Sequence, residues 1–213
     1  MKLLKNPVKG AIQLRYPMGN IYQGFGENVA LYMQAIGTMG HNGLDYVKGF
    51  RTPILASEGK VAEIKNDPSG YGRHVRILTD PDENGDCFLI AYGHLDEINP
   101  DLKVGDRVVD NQEIGKMGNT GFVISGNTPY WGNAPAGKGV HLHFGTRACT
   151  TKKTQWRLSK YNIYIKNNDN GLKGYVDPMK HLEQDPGALK IAIGLVGSMI
   201  SLLKKMQELT KVV

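Results

Sequence analysis

A chain of 213 residues with 40% hydrophobic content can bury one sizeable core, and its two cysteines are too few for a disulfide scaffold and lack metal-ligand spacing. Twenty-seven glycines and ten prolines, scattered rather than clustered, disfavour a helical bundle and favour short strands joined by turns. The formal charge of +6 suits an anionic partner, whether a cell wall, an acidic membrane surface or nucleic acid, and does not choose among them.

The first residues, Met1 to Lys9, carry charge with no apolar stretch behind them, so no secretory signal is expected. A substrate outside the membrane would then be reached by a non-signal route. Residues 1–24 read as a lead-in, with Gln13 to Pro17 extended before proline and Met18-Gly19-Asn20 as a turn. The glycine-punctuated Gln23-Gly24-Phe25-Gly26-Glu27 can bring backbone close to a ligand. It lacks the Gly-Lys-Ser/Thr ending of a phosphate loop, which removes that reading.

In Gly40-His41-Asn42-Gly43-Leu44-Asp45-Tyr46-Val47 a histidine precedes an aspartate by four residues. Gly40, Gly43 and Gly49 argue against a helix, and in a strand the even offset also keeps both side chains on one side. Taken alone, a surface turn with a satisfied histidine explains the pair better. From Thr52 to Ile77 short alternating runs with tight turns predict an antiparallel sheet. His74 alternates against Val75 and Ile77 there, so it reads as a rim or cross-strand residue and not as a ligand.

Cys87 to Leu95 is a strongly apolar strand ending in His94, at the kind of position where scaffolds place reactive groups. Two more short strands follow. Residues 121–139 then form a long polar and aromatic excursion with Tyr130 and Trp131, expected to wall a site. It delivers the chain into Gly139-Val140-His141-Leu142-His143-Phe144-Gly145. In an extended strand His141 and His143 share one face while Val140, Leu142 and Phe144 share the other, so one side can be core and the other a site.

Residues 149–175 form a second excursion, with Lys152, Lys153, Arg157, Lys160, Lys166 and Lys173 interleaved with Trp156, Tyr161, Tyr164 and Tyr175. This composition can grip nucleic acid or polysaccharide, and a solvated hairpin explains it equally well. From Ala188 onward Lys190, Gly194, Gly197, Ser201, Lys204, Glu208 and Lys211 recur at steps of four and three, a narrow small-and-polar stripe on an otherwise apolar helix. The uncharged run from Ile191 to Leu203 is short of a bilayer span. Docking on a partner protein, self-association or lying at a membrane surface fit it better than crossing, as does packing on its own domain.

Together the pieces make one constellation. His41, Asp45 and one of the pair His141 and His143 form an N,N,O set that leaves zinc a fourth position, the catalytic rather than the structural form. His94 and the remaining histidine are then free for proton transfer beside the metal. No His-Glu-x-x-His occurs, so histidine stands where a glutamate base would.

His41-x-x-x-Asp45, Tyr92-Gly93-His94-Leu95 and His141-Leu142-His143-Phe144, in this order, resemble the lysostaphin/LytM-type zinc endopeptidases of peptidoglycan peptides. Supporting matches run from Gly24 to Phe144, among them Phe25-Gly26, Tyr71-Gly72, Val104-Gly105-Asp106 and Ile114-Gly115. The resemblance implies a mainly β protein: a single antiparallel β-sheet or sandwich domain with long loops walling a metal groove, plus a C-terminal helix. It implies one zinc ion on His41, Asp45 and His143, with His94 and His141 as the catalytic pair. The expected division is a lead-in at 1–24, the endopeptidase domain at 25–185 with insertions at 121–139 and 149–175, and a C-terminal helix at 186–213. Both insertions depart from the family pattern and bear on substrate preference.

The expected function is hydrolysis of peptidoglycan stem or cross-bridge peptides by a phage-type lysin or virion-associated enzyme, made in the cytoplasm and acting at the cell wall. The C-terminal helix would meet a membrane surface or a partner protein, and nucleic acid is not expected. The alternative is a catalytically inactive LytM-like binding or regulatory module at the wall, against which the intact five-residue set argues.

Overall fold

A computed structural model describes residues 2–183 and 186–209. Its elements in order are β1 (Ile21–Gln23), α1 (Val29–Ile36), β2 (Leu44–Tyr46), β3 (Pro53–Leu55), β4 (Gly59–Asp67), β5 (Gly72–Leu78), β6 (Asp86–Ile98), β7 (Arg107–Val108) and β8 (Glu113–Met117). There follow β9 (Val123–Ser125), β10 (Thr128–Tyr130), β11 (Leu142–Thr150), β12 (Arg157–Leu158), β13 (Ile163–Ile165), β14 (Tyr175–Val176) and α2 (Pro186–Leu209). The spine is an antiparallel sheet in the order β1-β2-β11-β6-β5-β4-β7, with β3 joined through β8 to β6 and β13 and β14 laid on β11. The expected mainly β, antiparallel architecture with a C-terminal helix is the one found.

The two longest partners explain the apolar run from Cys87 to Tyr92. Strand β6 pairs with β11 from Asp86↔Thr150 to Gly93↔His143, and residues directly opposite each other share a face. Phe88, Ile90 and Tyr92 join Leu142, Phe144 and Ala148 in the main core, where Tyr92 and Phe144 meet at 5.4 Å and 62°. Cys87, Leu89 and Cys149 face the other way, into a smaller cluster with Ala62 and Ile163. Burial on both faces turns an alternating pattern into a continuous one. Each large apolar side chain so buried contributes about 1.5–3 kcal/mol of transfer free energy.

Leu4, Val8, Ala11 and Ile21, from the first residues of the chain, belong to the main core cluster. The basic excursion packs through its cations: Lys160 donates to Glu63, Lys166 to Asp86, and Lys173 to the carbonyl of Ile36. Helix α2 leaves Ile193, Val196, Met199, Leu202, Leu203 and Met206 exposed. Lys211 of the polar stripe lies outside the described residues. Among the described residues no helix is long and apolar enough to cross a membrane.

Candidate metal centre

Register builds the site. Strand β11 pairs with β2 so that His143 stands directly opposite Asp45, which puts the imidazole and the carboxylate on the same face of adjacent strands. His41 enters from the preceding turn, where its N–H donates to Glu27 O and its carbonyl accepts from Gly26 N, both at 2.8 Å. Gly43 is needed at the crossing, because a Cβ there would lie 2.8 Å from His143 Cε1 and 2.6 Å from the carbonyl oxygen of Phe144.

Three donor atoms converge. His41 Nε2 lies 3.0 Å from His143 Nδ1 and 3.1 Å from Asp45 Oδ1, and the third edge, His143 Nδ1 to Asp45 Oδ1, is 3.2 Å. A tetrahedral ion with bonds of about 2.0–2.1 Å has ligand edges of about 3.3 Å, so this triangle is close to the size zinc requires. Chemistry agrees with size. His41 Nδ1 is 3.1 Å from the carbonyl oxygen of Gly24, an acceptor only, so Nδ1 carries the proton and Nε2 offers its lone pair inward. The set His41, Asp45 and His143 is buried and can hold a metal ion.

Titration follows from the same crowding. Burial works against the Asp45 carboxylate, but the neighbouring His41 and His141 outweigh it and hold its pKa well below the usual range. Burial likewise acts to lower His41, and the adjacent Asp45 charge and hydrogen bond reverse this, leaving it raised. His143 is pushed down to about 4, chiefly by burial. Asp45 is thus kept ionised and His143 neutral, as a cation needs, while the proton that the Asp45 charge favours on His41 must leave when a metal binds.

The other two histidines flank this triangle. His94 and His141 have ring centroids 4.5 Å apart, and His141 Nε2 lies 3.8 Å from Asp45 Oδ1. Each is oriented by a carbonyl: His94 Nδ1 donates to Thr120 O and His141 Nδ1 to Gly139 O, both at 2.8 Å, which leaves both Nε2 atoms as bases. His94 takes a left-handed φ of 61° while its N–H donates to Tyr71 O at 2.7 Å. Burial first, then the charges of His141 and His143, hold His94 well below the ordinary histidine range.

All five histidines and carboxylates singled out in the sequence meet here. His74 does not: it is buried on β5, where Nε2 meets Glu63 at 3.3 Å. Three residues that sequence reasoning did not assign a role complete the surroundings. Tyr71 stacks on His143 and accepts a hydrogen bond from Asn42 Nδ2 at 2.9 Å, while Tyr32 lies 5.3 Å from the His41 ring.

An antiparallel β domain with a buried His-Asp-His triangle and two flanking imidazoles has the design of a metallopeptidase. The chain belongs to peptidase family M23, which matches residues 39–156, more than half of its length. It is 32% identical over 128 residues to the glycyl-glycine endopeptidase ALE-1 of Staphylococcus capitis, covering 60% of this chain and 29% of that one. It is 32% identical over 105 residues to the peptidoglycan DD-endopeptidase ShyA of Vibrio cholerae, covering 49% and 19%. The chain thus spans less than a third of the length of these curated relatives. Among solved structures, a zinc-containing peptidase from Vibrio cholerae shares the fold at a TM-score of 0.50 and 22% identity, over 87% of this chain and 40% of that one. The lysostaphin catalytic domain of Staphylococcus simulans matches at 25% identity and a TM-score of 0.44, over 68% and 80%.

Proposed function

We propose that this chain is a zinc endopeptidase that cleaves stem or cross-bridge peptides of peptidoglycan. The observation that carries the reading is the triangle of donor atoms on His41, Asp45 and His143, with edges of 3.0–3.2 Å. Zinc bound by these three would act as Lewis acid for the scissile carbonyl and acidify the attacking water. His94 and His141, with their Nδ1 protons committed to carbonyls, present Nε2 to accept the proton of that water. An imidazole so protonated then becomes a donor to the developing oxyanion.

Relatives named for glycyl-glycine and for DD-endopeptidase activity support the substrate class and differ on the bond. The test is release of soluble fragments from purified sacculi, dependent on zinc, with the fragments identified by mass spectrometry. A metal-loaded His143→Ala protein with full activity would overturn the proposal. The intact five-residue set weighs against a binding module without catalysis.

The setting proposed is a phage-type lysin or virion-associated hydrolase acting at the cell wall. The net charge of +6 and the exposed apolar side chains of α2 support it, since such a helix suits a membrane surface or a partner protein. Removal of residues from Pro186 onward should leave digestion of sacculi intact and reduce action on whole cells. Equal action on whole cells would remove the role given to the helix.

A further inference from the structure

The two cysteines lie 62 positions apart in the chain and opposite each other in the sheet, since Cys149 of β11 is the register partner of Cys87 of β6. Partners across an antiparallel ladder share a face, and both thiols are fully buried in the small cluster with Ala62, Leu89 and Ile163. Two residues further along, Thr151 N–H donates to Gly85 O at 2.8 Å, which makes the cysteines a hydrogen-bonded pair by the two-residue repeat. Such pairs have Cα atoms about 5.5 Å apart, inside the range of about 4.4–6.8 Å that a disulfide spans.

We propose that Cys87 and Cys149 form an intramolecular cross-strand disulfide when the chain meets a low-molecular-weight disulfide such as oxidised glutathione. One cysteine thiolate attacks the small disulfide, breaking its S–S bond and releasing one thiolate. The other cysteine thiolate then attacks the mixed disulfide, forms the Cys87–Cys149 bond and releases the second. Two protein thiols are oxidised, one small disulfide is reduced to two thiols, and those thiols take up the two protons.

The fold sets how this happens. Burial pushes Cys87 up to about 11 and Cys149 up to about 12, so few thiolates exist in the closed structure. Exchange therefore goes through folding intermediates or through opening of the cover provided by Leu158, Tyr161 and Ile163. Opposed Cβ atoms stand about 4.5–5.5 Å apart, beyond the about 3.8 Å mean of a disulfide, so the strands draw together and the bond stays open to reduction. Its effect reaches the metal centre through register. The same ladder sets His143 against Gly93, and a slip by one residue would turn His143 into the core. A bond between β6 and β11 removes that slip.

The experiment is refolding and native incubation in reduced and oxidised glutathione, followed by alkylation under denaturing conditions, intact mass and peptide mapping. Expected are a monomer lacking two hydrogens, one linked Cys87–Cys149 peptide pair, and a melting temperature about 5–10 °C above that of the reduced protein. Dithiothreitol should reverse all three. Cys87→Ala and Cys149→Ala should show no response to the oxidant. Two alkylated cysteines after oxidative refolding, glutathione adducts or linked dimers would each overturn the proposal. A linked pair with no gain in melting temperature would overturn the stapling it is given.

Discussion

The ring of Tyr71 lies over the imidazole of His143, with centroids 4.8 Å apart and planes 19° from parallel. The same residue accepts a hydrogen bond from Asn42, next to His41, and its carbonyl holds the N–H of His94. Tyr71 is thus a positioning residue for three of the five site histidines and carboxylates. Tyr71→Ala should weaken zinc affinity by about 10–100-fold, the usual cost of losing a group that orients a metal ligand. Tyr71→Phe keeps the stacked ring, loses the hydroxyl's bonds to Asn42 and Tyr175, and should lie nearer the parent. Competition with a chelator measures both. Equal affinities in all three proteins, with unfolding temperatures confirming the fold, would show that the stack does not orient His143.

The proposed ligands and the proposed bases separate by what their loss removes. His41→Ala and Asp45→Ala take away corners of the 3.1 Å contact and should lose bound zinc. His94→Ala and His141→Ala leave the three donor atoms in place, so zinc should still bind at one ion per chain. Their turnover should fall by about 10²–10⁴, the range for a positioned acid or base, with KM moving little. Metal content and kcat on one set of preparations give the answer, and loss of zinc from the His141→Ala protein would move His141 into the ligand set.

How much of this was legible depended on how local the signal was. Strand period two placed His141 and His143 opposite Leu142 and Phe144, and those apolar residues are indeed fully buried. His41 and Asp45 also converge, but not by strand alternation, since His41 lies in the turn before β2 and only Asp45 is on the strand. Tyr71 entered only as part of the Tyr71-Gly72 match and without a role, because its place over His143 comes from a packing between distant segments that no local pattern encodes. Helix α1 escaped notice for a different reason: it has no side-chain cap, and its N-cap residue, Asn28, sits in the left-handed region. His74 was read correctly as facing away from the apolar side, yet it is buried, because Glu63 and the basic excursion cover that face.

Gly72 ties the β5 entrance to His94, one of the two proposed bases. It has a φ of +59°, and a Cβ there would fall 2.3 Å from the Thr120 carbonyl carbon and 2.4 Å from its oxygen, the acceptor of the His94 Nδ1 proton. Gly72→Ala should therefore destabilise by about 2–5 kcal/mol, from strain and overpacking together, and lower turnover as Thr120 O is displaced. Gly105→Ala is the control, since its φ is also positive at +102° but nothing lies within 4 Å. It should show only the strain, about 1–3 kcal/mol, with turnover unchanged. Chemical denaturation and peptide hydrolysis separate the two effects, and equal losses in both variants would remove the link to His94.

Acid stability should report on Glu63, which gathers Lys160 at 3.0 Å, Arg76 at 3.3 Å and His74 at 3.3 Å. Burial acts to raise its carboxyl, and the hydrogen bond from Lys160 with the charge of Arg76 outweighs this and holds it at about 2. The ordinary value is 4.5, so between the two the unfolded chain binds the extra proton. Stability from this ionisation is therefore complete above about pH 4.5 and is lost as pH falls through about 2. Lys160 is well exposed, so solvent screening limits the contribution to on the order of 1 kcal/mol. Thermal melts of the parent and of Glu63→Gln from pH 7 to pH 2 should show a gap that closes over that window. A gap that stays constant down to pH 2 would mean that packing, and not the charge of Glu63, holds the basic excursion to β4.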